Sequence, residues 1–131
     1  ALVICRDDLK EDFRYLIKQR GAMLAKGFVI GIQFEALFQD KLYFELADHA
    51  NKMAEIIADA IADCGYDFYA PPCSNQLFPI LPDEKIERLV KDFSFSRQAR
   101  IDEAHSAIRL VTSWATSKEN VQKLVEAFKK L

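Results

Sequence analysis

The chain has 131 residues, half of them apolar and 29% charged, with a net charge of −2 and a pI near 5.7. That is enough for one domain with a real core. Nothing in that balance suggests a nucleic-acid surface, which needs a basic face, and no apolar run approaches the ~20 residues of a bilayer-spanning helix.

The first five residues, "ALVIC", read as a strand too short for a signal-peptide core. Such a strand is normally paired inside a sheet, so the opening points to a fragment of a longer protein or to a processed form. Asp7 or Asp8 is positioned to cap a helix over Leu9–Gln19, with Phe13, Leu16 and Ile17 on one side. Gly21 and Gly27 bracket "GAMLAKG", whose small residues permit close packing. Phe28–Phe38 is mostly apolar and reads as a buried helix, with a strand arguable for its first half. From Leu42 to Cys64, Leu46, Ala50, Met53, Ile57 and Ile61 recur at helical steps, and Gly65 sits where a helix-ending glycine belongs.

"YDFY" (66–69) alternates like a strand, "PPCSN" (71–75) is a turn, and "QLFPIL" (76–81) is a second strand, which Pro79 marks as an edge or a bulge. Asp83 is expected to cap a helix that turns Ile86, Leu89, Val90 and Phe93 inward. "FSFSRQARI" (93–101) and "AIRLVTSW" (107–114) read as strands joined by a "DEAH" turn. Thr116–Glu119 has the spacing of a capping box, and the last helix should bury Val121, Leu124, Val125 and Phe128. A helical first half followed by β-α-β-β-α makes an α+β fold, with a small antiparallel sheet covered by helices.

Candidate chemistry is sparse. Cys5, Cys64 and Cys73 form no CxxC pair, and His49 and His105 lie far apart, which indicates a reducing, cytoplasmic setting without structural zinc. His49 reads as a helix-face residue and nothing orients His105 as a base. Asn75 reads as a turn residue, Thr112 and Ser113 as turn residues before site-lining ones, and Trp114 as packing under the last helix. Charge is uneven. Arg14, Lys18, Arg20 and Lys26 meet no acid between them, beside glycines that could help hold a phosphate, whereas residues 35–67 carry eight acids against Lys41 and Lys52. Arg109 stands out. Ile108 and Leu110 should face one side of its strand, and Arg109 the other with Ala107 and Val111. A guanidinium there needs an anion. Either Asp102 or Glu103 supplies it, or a ligand does.

Three segments, "FRYLIKQRGAMLAKGFVIGIQFEALF", "SNQLFPIL" and "IRLVTSWATSKENV", in this order and spacing resemble the C-terminal part of the threonine aldolase and β-eliminating lyase family. These are pyridoxal-phosphate (PLP) enzymes of the aspartate-aminotransferase fold. The likeness runs from Ala1 to about Val125 and implies a small domain at 41–131, with 1–40 flanking or joining a large PLP domain. It implies cleavage at the Cα of an amino acid, foremost low-specificity cleavage of L-threonine to glycine and acetaldehyde. Within the family's R-[LF]-V-T motif, here Arg109-Leu110-Val111-Thr112, Arg109 would grip the substrate carboxylate. Lys26 first and Arg20 second would lie near the cofactor phosphate. Leu24 stands where better-known members carry an arginine.

The family's cofactor-bearing lysine has no counterpart. Lys10, Lys18 and Lys26 lack its context, so the chain alone should be inactive. A homo-oligomer, dimer or tetramer, is implied. The alternatives are a β-eliminating lyase, an aminotransferase-like enzyme, or a non-catalytic α+β domain that self-associates through its N-terminal strand and Phe28–Phe38.

Overall fold

The structure, a computed structural model, describes residues 4–131. They form two compact units, Ala1–Leu42 and Tyr43–Leu131. The expected strand at the chain start falls largely on residues 1–3, outside the described part. Ile4 and Cys5 have no regular structure.

The first unit is helical. A 3-10 turn spans Asp7–Leu9, followed by α1 (Phe13–Gln19) and α2 (Phe28–Phe38). Asp7 and Asp8 do not cap α1. Their carboxylates pair with Lys10 and Arg6 instead, and α1 starts after Asp12, which takes a left-handed φ of 53°. The α1 helix ends as helices ending in glycine do. Gly21 adopts φ +70°, Ala22 N–H donates to Ile17 O, and Gly21 N–H to Lys18 O. Helix α2 forms where the sequence predicts it, but none of its residues is buried. The expectation of a buried helix is not met among the described residues.

The second unit is built on α3 (Leu42–Asp63), whose stripe of Ala50, Met53, Ala54, Ile57 and Ile61 is buried. Gly65, at φ +81°, closes it with Tyr66 N–H donating to Ile61 O. The sheet follows. Strand β4 (His105–Val111) is central and antiparallel to each neighbour. Along one edge run β1 (Gln76–Leu77) and β2 (Ile80–Pro82) in a single register, Leu77 opposite Leu110 and Ile80 opposite Ala107. They are interrupted because Pro79 has no N–H to donate, although its carbonyl still accepts from Ile108 N–H at 3.1 Å. Where a strand is expected over 66–69, only one bridge forms, Phe68 to Pro79. Along the other edge lies β3 (Ser96–Arg100).

All helix-facing side chains share one core. Leu77, Leu81, Ile108 and Leu110 meet α3, α4 (Asp83–Leu89) and α5 (Lys118–Lys129). In α5, Val121, Leu124, Val125 and Phe128 are buried as the spacing predicts. Its cap is Ser117, one residue later than the capping box suggests, and the hydroxyl accepts from Asn120 N–H at 3.2 Å. Asp83 does not cap α4, Val90 is exposed, and Phe93 is half-buried against the core. Burying a Phe or Leu side chain is worth about 1.5–3 kcal/mol, so this cluster carries the stability of the unit. The fold is α+β, with a small antiparallel sheet covered by helices on one face.

Candidate functional site

Strand alternation decides which side chains leave the core. Ser106, Ile108, Leu110 and Thr112 point into it, and Arg109 and Val111 are exposed on the opposite face. Register places Ser96 of β3 on one side of Arg109. The β1–β2 register carries Phe78, half-buried, to its other side. Arg109 therefore stands on an open sheet face between a hydroxyl and an aromatic ring.

Its freedom is best judged against Arg97 and Arg100 on the neighbouring strand. The ladder shifts between Arg97 and Ala99, so Gln98 is an extra residue. That insertion lets Arg97 and Arg100, three residues apart, both reach the helix side. Arg97 bonds Asp83 at 2.9 Å and Glu87 at 2.5 Å, and Arg100 pairs with Asp83. The Ser106 hydroxyl donates to the same Asp83 at 2.8 Å, and this bond, followed by the two arginines, holds the Asp83 carboxyl below its usual value. Thus Asp83 is a cross-brace between β3, β4 and α4. Arg109 makes no such pair among the described residues. Asp102 is committed to its own turn, accepting from Ala104 N–H at 2.7 Å and His105 N–H at 2.8 Å. Glu103 forms no ion pair with Arg109.

The end of β4 is pinned by contacts that the sequence reading assigned to turns. Thr112 Oγ1 donates to Ala50 O at 2.7 Å, and Asn75 Nδ2 donates to Thr112 O at 2.7 Å. The His49 ring bonds Thr116 O at 2.8 Å. A carbonyl only accepts, so Nε2 carries the proton. His49 and Ala50 thus tie α3 to the segment after Arg109. Trp114 does not pack under α5. It is 67% exposed, with no hydrogen bond among the described residues. His105, for which no orienting group was expected, has its Nδ1 held by Asp102 at 2.9 Å.

The basic candidates belong to the first unit. Arg20 follows α1 directly at its C-terminal cap. Lys26 lies in the turn before α2, its carbonyl accepting from Val29 N–H. Both side chains are exposed and without an ion pair among the described residues. No group of three or more metal-ligating side chains occurs among the described residues.

Comparison with known proteins bears on this arrangement. The chain matches the threonine aldolase of Leishmania major with a TM-score of 0.92 and 45% identity, over 97% of its own length and 37% of that chain. It is 32% identical over 126 residues to a low specificity L-threonine aldolase of Pseudomonas aeruginosa and 26% identical to one from a Pseudomonas species. The chain belongs to the threonine aldolase family over the segment it spans. No family model matches. The match takes in 95% of this chain but 35% of each of the two Pseudomonas aldolases. It therefore represents about a third of an aldolase's length, and Arg109, Lys26 and Arg20 all fall on it. Among the described residues no helix is long and apolar enough to cross a membrane.

Proposed function

We propose that the chain is the C-terminal part of a cytoplasmic, PLP-dependent threonine aldolase and that Arg109 binds the α-carboxylate of its amino-acid substrate. The observation that carries this is the unpaired guanidinium on the open face of the sheet, beside two arginines that are fully engaged. A guanidinium offers two parallel N–H donors to the two oxygens of a carboxylate, which an ammonium cannot do. The sheet backbone fixes the base of the side chain, and the Thr112 and Asn75 bonds fix the end of the strand. Gripping the carboxylate sets the rotation of the substrate about Cα and so selects which bond breaks.

PLP, when bound, supplies the electron sink for that cleavage. The described residues fit its anionic end in one respect, the unpaired cations Lys26 and Arg20. Lys26 precedes the first turn of α2, where a phosphate is favoured. Lys85, the one half-buried lysine among the described residues, is taken up by Tyr66, donating to its hydroxyl at 2.8 Å; we assign the cofactor's covalent partner to the rest of an aldolase polypeptide, and the chain by itself should not turn over. The preferred reaction is L-threonine to glycine and acetaldehyde, in a homo-oligomer.

The test is a chimera in which this chain replaces the matching segment of the Leishmania major enzyme. It should show the absorbance band of bound PLP, shift that band with glycine, and cleave threonine. Arg109→Ala should retain the band and weaken glycine binding by about 2–4 kcal/mol. Arg109→Lys should recover little of it. Unchanged glycine affinity in Arg109→Ala returns the residue to a structural role.

A further inference from the structure

Phe78 occupies a place that the core does not explain. On its strand edge Leu77 and Leu81 belong to the core cluster, and Pro79 is fully buried. Alternation therefore turns Phe78 and Ile80 to the opposite face, the one that carries Arg109. Both are half-buried, and neither is among the side chains packed against the core. Ala107, on that same face, is 0% exposed yet stands outside the core cluster. Register puts Ile80 directly opposite Ala107 and Phe78 on its diagonal, a separation that an aromatic side chain can reach across. An apolar rank thus closes over the sheet at the foot of Arg109.

The backbone here is held from two sides, although regular pairing is interrupted. Phe78 O accepts from Tyr69 N–H at 2.8 Å, and Pro79 O accepts from Ile108 N–H at 3.1 Å. The other flank of Arg109 differs, because Ser96 stands opposite it on β3 with a hydroxyl and no bulk. A long side chain set between a ring and a serine has one wall. A guanidinium is planar, lays its face on aromatic rings and carries every donor in its edge. We propose that Phe78 is a positioning residue for Arg109. When a carboxylate is gripped, the ring backs one face of the guanidinium, keeps water from that face and leaves the N–H edge turned to the ligand, which strengthens the charged hydrogen bonds made there. This rests on the reading that Arg109 binds the substrate carboxylate.

The same chimera tests it by a double-mutant cycle, with glycine affinity read from the shift of the PLP absorbance band. Phe78→Leu should weaken glycine binding about 3- to 10-fold, the range of a cation held against a ring. Phe78→Tyr keeps the ring and should restore the affinity. With Arg109→Ala already in place, Phe78→Leu should weaken binding no further, because the group it positions is gone. An equal loss in both backgrounds is the mark of a general loosening of the fold and overturns the proposal. So does a Phe78→Leu variant that binds glycine like the parent, or a Phe78→Tyr variant that binds no better than Phe78→Leu. If Arg109→Ala weakens glycine binding and any of these three results is found, this inference alone falls. If Arg109→Ala itself leaves the affinity unchanged, the functional reading falls and takes this inference with it.

Discussion

Residues 43–131 and residues 4–42 are both rich in apolar side chains, yet only the former bury any of them. The difference lies in arrangement, not amount. In α3 the apolar residues from Ala50 to Ile61 share one face apart from the exposed Ile56, so a single sheet can cover them. In α2 they occupy two opposite sides. Hydrophobicity alone therefore does not specify a partner. A single stripe specifies one, as in α3, and two opposite stripes do not.

The sharpest way to break this contrast is a matched pair of substitutions in the 131-residue chain. Phe128→Ala removes a side chain that is 2% exposed and packs edge-on against Tyr66. It should cost about 3–5 kcal/mol in urea unfolding followed by circular dichroism. Phe34→Ala, on α2, should change the same transition by less than about 0.5 kcal/mol. Equal losses would mean that α2 already contributes to a core.

Much of this contrast was legible in the sequence, and the failures have a common cause. The helices α3 and α5 repeat their apolar residues at helical spacing, and that pattern alone places Met53, Ile57, Leu124 and Phe128 inside. Alternation along β4 likewise turns Arg109 outward. What could not be read was long-range pairing. Asp83 looks like a helix cap, but its oxygens are taken by Arg97, Arg100 and Ser106, 14 to 23 residues away. Sequence alternation singles out Arg109 but gives no partners for Arg97 and Arg100. The extra residue at Gln98 engages those two and leaves Arg109. Helix α2 was placed correctly as a helix, but apolar composition was read as burial within this chain.

A smaller effect tests the strand end that supports Arg109. Thr112 is buried, and its hydroxyl satisfies the Ala50 carbonyl across 62 residues. Thr112→Val keeps the shape and removes the donor. It should lower stability by about 1–3 kcal/mol, and Thr112→Ser should restore most of it. In the chimera the Val variant should also weaken glycine binding, because the strand bearing Arg109 loses its tether to α3. A stability loss with glycine affinity intact would confine Thr112 to the core.

The smallest effect concerns acid, and it again separates the two units. Asp83 and Asp8 both have carboxyl groups held below the usual carboxylate range, Asp83 first by the Ser106 hydroxyl and then by Arg100 and Arg97, Asp8 by Arg6. A depressed folded-state pKa stabilises the fold above the unfolded value, near 4, and that contribution fades as pH falls through the lower folded value. For Asp83 the partners lie on other elements, so unfolding separates them and the full linkage is felt. Arg6 and Asp8 are two residues apart and exposed, so the unfolded chain can keep much of that pairing and the linkage nearly cancels. Unfolding midpoints measured from pH 6 down to pH 3 should therefore decline less steeply in Asp83→Asn than in the parent chain. Asp8→Asn should leave the slope unchanged. If Asp8→Asn flattened the slope as much as Asp83→Asn, the first unit would hold tertiary structure of its own in the isolated chain, and its helices would not be waiting for a partner.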